Sequence, residues 1–172
     1  TLIGASSEDE DEMGGNTLFG AGSAYFFETA PPHNVIVSSG DLIFTDNNDR
    51  DDNLTIVING ANYRITDPSN SLIAGMGATQ IDANTVDVTI TSVTGDITIN
   101  TNGGDDSLTT DFSGGNFQDI INYDGGAQNN TNPGDILTLQ GGGTFATVEH
   151  TFTNASDGGV AVSGNGAINY VG

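Results

Sequence analysis

The chain of 172 residues contains no cysteine, no lysine and no tryptophan. Without cysteine there are neither disulfides nor thiolate metal sites, which leaves carboxylates, amides, carbonyls and two histidines as ligands, a set that favours hard cations. Without lysine, Arg50 and Arg64 are the whole basic complement, so the cationic face by which nucleic acids and anionic membranes release counterions is missing, and neither partner is expected. No apolar run approaches the roughly 20 residues of a membrane-spanning helix and no signal-peptide pattern is present, so membrane insertion is not expected either. Helical periodicity is as scarce, with one weak stretch at Ala21 to Glu28.

Acid is abundant. The 23 acidic residues give a net charge of −21, a self-repulsion that a compact fold withstands when cations or salt neutralise it. Aspartate outnumbers glutamate, and from Asp41 onward most aspartates sit beside Gly or Asn in turn-like stretches such as Asn102-Gly103-Gly104-Asp105-Asp106. The opening at Thr1 is expected to reflect a processed mature protein or a segment of a longer one, and processing suggests a secreted or cell-surface location.

Alternation of apolar and polar residues is the dominant pattern. Val35/Val37, Leu42/Phe44, Leu54/Ile56/Ile58, Tyr63/Ile65, Val86/Val88/Ile90, Ile97/Ile99, Leu137/Leu139, Val160/Val162 and Ile168/Tyr170 each predict a short strand with one buried face. Between them, Asn59-Gly60, Asp124-Gly125-Gly126, Gly141-Gly142-Gly143 and Asp157-Gly158-Gly159 predict turns. The fold class is therefore all-β. From about Asp82, units with an aspartate just before a short apolar strand recur at intervals of 11, 12 and 16 residues, measured between Ile97, Leu108, Ile120 and Ile136. Loose recurrence of this kind suits a parallel β-solenoid (β-helix), with an Ig-like β-sandwich as the alternative. The expected organisation is an acidic N-terminal segment with an apolar docking patch over 1-33 and a β-rich repeat domain over 34-172.

The stretches Val93-Thr94-Gly95-Asp96-Ile97-Thr98-Ile99 with Gly103-Gly104-Asp105-Asp106-Ser107-Leu108, and Gly143 to Gly158, resemble repeat modules of giant secreted or surface proteins of planctomycete-type bacteria. Those modules are distantly similar to haemolysin-type calcium-binding repeats. The resemblance covers roughly Asp41 to Gly172 and implies a β-rich, extracellular, calcium-associated architectural segment. The Gly-Gly-x-Gly-x-Asp pattern of the calcium repeats is nowhere intact, because Gly103-Gly104-Asp105-Asp106 lacks the third glycine.

Two acidic constellations are candidate calcium sites. In the run Asp46 to Asn53, Asn47, Asp49 and Asp51 fall on alternate positions as a calcium loop requires, although Asp52 stands where the turn glycine belongs and Ile58 where the terminal glutamate belongs. Asp105, Asp106, Asp124 and Asp135 would stack in a column if successive units are rungs, and adjacent carboxylates repel unless a cation bridges them. Solvated turns capped by aspartate are the simpler reading of both.

Catalysis is not expected. Both arginines lie in the less repetitive half, and no nucleophile elbow, phosphate loop or zinc-protease pattern occurs. His33 follows Pro31-Pro32 and is expected in a loop, whereas His150, alternating with Val148 and Phe152, is expected on a strand face. The aromatic group Phe19, Tyr25, Phe26 and Phe27 is expected to dock onto another copy. The resulting expectation is an extracellular structural protein that assembles into a layer, matrix or fibre stabilised by calcium. An adhesin or carbohydrate-binding module is the alternative, and a β-helix polysaccharide-active enzyme the third reading.

Overall fold

The computed structural model describes residues 31–129 and 134–172, together with the strand backbones of residues 2–4 and 24–26. The chain divides into two compact units, Thr1–Ala30 and Pro31–Gly172. In the first unit, β1 (Leu2–Gly4) pairs antiparallel with β2 (Ala24–Phe26), so the weak helical spacing at Ala21 to Glu28 gives way to extended chain at its centre. Phe19 and Phe27 lie outside the described residues, as do the side chains of Tyr25 and Phe26.

The second unit is all-β with mixed sheets, and its described residues form no closed barrel. It opens with β3 (His33–Ser38), β4 (Asp41–Thr45), β5 (Asn53–Asn59) and β6 (Asn62–Thr66), followed by β7 (Leu72–Ala74), β8 (Ala78–Asp82) and β9 (Thr85–Thr89). Next come β10 (Ile97–Asn100), β11 (Gly103–Gly104), β12 (Ser107–Asp111), β13 (Ile121–Asp124), β14 (Ala127–Gln128) and β15 (Ile136–Gln140). A hairpin of β16 (Val148–Phe152) and β17 (Gly158–Val162) precedes β18 (Ile168–Val171). Every alternating apolar group named above lies on one of these strands, Ile90 excepted, which opens the 3-10 turn Ile90–Ser92.

Eight strands form one sheet in the order β16-β17-β18-β13-β10-β4-β3-β7, and six form the other in the order β15-β12-β5-β6-β9-β8. The central ladders are parallel and in register. Leu42, Ile97, Ile121 and Ile168 occupy one row, and Phe44, Ile99, Tyr123 and Tyr170 the next but one. On the facing sheet Leu54, Leu108 and Leu137 align, as do Ile56, Thr110 and Leu139. Because side chains alternate across a strand, in-register pairing stacks like on like and directs every second residue inward. Each fully buried Leu, Ile or Phe contributes roughly 1.5–3 kcal/mol, and Leu42, Phe44, Leu54, Ile56, Ile97 and Leu108 are all 0% exposed.

The chain passes from one sheet to the other through corners that also stack: β11 pairs parallel with β14, Gly103 opposite Ala127. Gly126 turns the lower corner at φ +73°, and a Cβ there would collide with the Asn102 carbonyl above it. Antiparallel strands β3, β6, β9 and β8 cover the first level. At the far end β15 is the outermost strand of its sheet, and beside it lies a cavity of about 580 Å³ lined by Tyr123, Leu137, Leu139, His150 and Tyr170 among others.

Candidate functional site

The buried phase of several strands does not end where their apolar residues end. In β4 it runs Leu42, Phe44, Asp46; into β5 it runs Asp52, Leu54, Ile56; along β6 it runs Tyr63, Ile65, Asp67; and before β12 it runs Asp106, Leu108. His33 begins β3 in phase with Val35. Period-two geometry thus carries one histidine and four aspartates indoors at the corner between the sheets, each of them at most 2% exposed. His33 is therefore a buried strand residue rather than the loop residue expected after Pro31-Pro32: alternation from Val35 reaches one step further back than the prolines suggest.

His33 Nδ1 lies 2.7 Å from Asp46 Oδ1 and Nε2 lies 3.2 Å from Asp52 Oδ1. Asp46 also accepts the amides of Asn48 and Asp49, both at 2.8 Å. The Asn47 amide donates to the same Nδ1 at 3.3 Å. Nε2 is close to Asp52 in distance, yet this wholly buried nitrogen has no hydrogen-bond partner among the described residues. Asp52 Oδ1 accepts from Asn70 Nδ2 at 2.7 Å. Among the described residues, His33, Asp46 and Asp52 form a group whose ligand-capable atoms all lie within 4.8 Å of one another.

The same corner holds a ladder of aspartates. Asp106 Oδ1 accepts the Asp52 amide at 2.7 Å, and Asp135 Oδ1 accepts the Asp106 amide at 2.9 Å, so each carboxylate caps the strand start of the preceding level. Burial raises the Asp52 carboxyl far above the usual carboxylate range, a side-chain hydrogen bond with Asp67 raises it next, and the charges of Asp67, Asp46 and Asp106 raise it further. Burial likewise pushes Asp106 up to about 6, against the opposing hydrogen bonds from the Asp52 amide and the Thr101 hydroxyl. Asp135 is raised too, chiefly by burial.

Of the residues singled out in the sequence, Asp52, Asp106 and Asp135 are brought into this column. Asp105 is half-buried, and its amide donates to Asp51 Oδ1 at 2.9 Å, giving a second, outer pairing between the same levels. Asp124 is exposed and caps Gly126 at 3.0 Å. Asn47 and Asp49 are exposed, with Asn47 Nδ2 donating to the Pro32 carbonyl at 2.8 Å and Asp49 in the left-handed region at φ 52°. Alternation along this loop does not gather Asn47, Asp49 and Asp51 into the buried group; the inward residues are Asp46 and Asp52 at its two ends. His150 lies on exposed β16, its Nε2 2.6 Å from the Tyr170 hydroxyl. Arg64 forms a two-pronged pair with Asp87 across β6 and β9, at 2.8 and 2.9 Å.

Comparison with protein-family models, curated proteins and solved structures finds no match to this chain. Among the described residues no helix is long and apolar enough to cross a membrane.

Proposed function

We propose that this chain is an extracellular structural module, a short parallel β-solenoid that joins other copies of itself into a layer, matrix or fibre and is stabilised by calcium at its acidic turns. The observation that supports the reading is the parallel, in-register stacking of β4, β10, β13 and β18 on one face and β5, β12 and β15 on the other. Such a stack is a mechanical element: each level pairs with the next, and an outermost strand presents unpaired backbone groups to a further strand. On the two edge strands β15 and β16, Ile136 is 41% exposed, Val148 59% and Phe152 69%, apolar side chains of the kind that association covers. Calcium would offset repulsion between subunits that each have a net charge of −21, with Asn47, Asp49, Asp51 and Asp105 as exposed or half-exposed oxygen donors.

The test is sedimentation velocity of the full chain across a concentration series, with calcium and with chelator at matched ionic strength. Concentration-dependent growth that calcium enhances and that Asp49→Asn with Asp51→Asn weakens is expected. A monomer under every condition would end this reading.

A carbohydrate-binding module is the second reading, favoured by the 580 Å³ cavity, where Tyr123 and Tyr170 stand beside the polar groups of Gln128, Asp135 and His150. Glycan-array binding lost on Tyr170→Ala, from a monomeric protein, would select it.

A further inference from the structure

We propose that His33, Asp46 and Asp52 form a buried structural site for one divalent transition ion, with zinc the fitting member of the class. The proposal is independent of the assembly reading and uses different residues from the exposed calcium candidates. Three observations meet here. The ligand-capable atoms of the three side chains lie within 4.8 Å of one another, so a small inward movement of the side chains would bring them to the roughly 3.3 Å separations that bonds of about 2 Å from a tetrahedral centre require. His33 Nε2 is wholly buried, lies 3.2 Å from Asp52 Oδ1 and has no hydrogen-bond partner among the described residues. Asp46, Asp52, Asp67 and Asp106 together place four carboxylates at 0–2% exposure, where His33 is the one side chain of the group able to become cationic. Arg50 is exposed, and Arg64 is paired with Asp87.

A buried carboxylate group of this kind persists by binding protons or a cation. The imidazole decides which cation fits. Calcium takes six to eight oxygens, whereas zinc accepts a mixture of imidazole nitrogen and carboxylate oxygen in a compact shell. An ion here would tie the start of β3 to both ends of the Asp46–Asp52 corner, uniting residues far apart in sequence. It would therefore stabilise the fold rather than meet a substrate.

The test uses the full chain, stripped with chelator and titrated at pH 7.5 with zinc, calcium and magnesium against a chromophoric zinc indicator, with metal content measured after gel filtration. One zinc per chain is expected, retained in excess calcium and accompanied by a rise in melting temperature. His33→Gln and Asp52→Asn should each lower zinc affinity by about 100-fold or more, an effect at the upper end of what even outer-shell changes cause. Asp49→Asn with Asp51→Asn should leave it within about twofold, by the same comparison.

Should the buried substitutions prevent folding, the wild type still decides. The chain has two histidines, so the exposed His150→Gln variant assigns their ring resonances, and cobalt should broaden His33 alone. Absence of stoichiometric zinc, equal retention of calcium, full affinity in His33→Gln, or broadening confined to His150 would each overturn the proposal.

Discussion

Replacing Asp106 separates the two roles that the corner assigns to it. Its Oδ1 accepts the Asp52 amide at 2.7 Å, while Oδ2 is buried without a partner and the carboxyl titrates at about 6. An unfolded aspartate titrates near 3.8, so the folded state binds the proton more tightly. Stability from this group is fully present below pH 3.8 and is lost as pH rises through about 6, to a maximum of about 3 kcal/mol. Asp106→Asn keeps an acceptor for the Asp52 amide and removes the charge, although its amide needs a partner where Oδ2 has none. We expect it to be neutral or stabilising by about 1–2 kcal/mol at pH 7.5 and to lose that advantage at pH 5. Asp106→Ala removes the acceptor and orphans a buried amide, costing about 1–3 kcal/mol at both pH values. Urea unfolding of the three proteins in chelator, at pH 5 and 7.5, measures these differences. If Asn proves as damaging as Ala at both pH values, buried charge is not what sets the stability of this column.

Leu108→Ala, enclosed between Leu54 and Leu137, should cost about 3–5 kcal/mol in denaturant unfolding, and Leu137→Ala on the outermost strand about 1–2; equal losses would mean that the far end is covered. Gly126→Ala should lower the melting temperature more than Gly143→Ala, since a Cβ meets the Asn102 carbonyl at the first and open space at the second. In chelator, the wild type should melt higher at pH 5 than at pH 7.5, because Asp52, Asp106 and Asp135 are all raised by burial; the opposite order would show that ionised, hydrogen-bonded carboxylates dominate. Tyr63→Phe should cost about 1 kcal/mol through the lost 2.7 Å bond to Asp119.

Alternation made the strands legible because one face of each is buried, and Leu42/Phe44, Leu54/Ile56 and Ile97/Ile99 lie indoors as their spacing requires. The column of Asp106 and Asp135 could be read from recurrence, since both precede an apolar strand. The buried group around His33 was harder. Its members arise from separate strand ends, and their closure depends on how β3 pairs with β4 and how the corner folds. A usable signal was nonetheless present: Asp46, Asp52 and Asp67 continue the apolar phase of their own strands, where a charged residue needs a partner. Attention to alternating oxygens in the Asp46 to Asn53 run favoured its outward side chains, and Pro31-Pro32 disguised His33. Phe117, stacked on Tyr63 at 5.6 Å and meeting Phe112 edge-on, was missed because no alternation surrounds it.

The central claim is that parallel levels stack within the chain and continue from one copy to the next. Electron microscopy of the full chain, concentrated in calcium and then transferred to chelator, tests it most directly. The account predicts fibres or sheets with a repeat near 4.8 Å between strands in diffraction, which disperse when calcium is withdrawn. Single compact particles at every concentration, in calcium as in chelator, would contradict it.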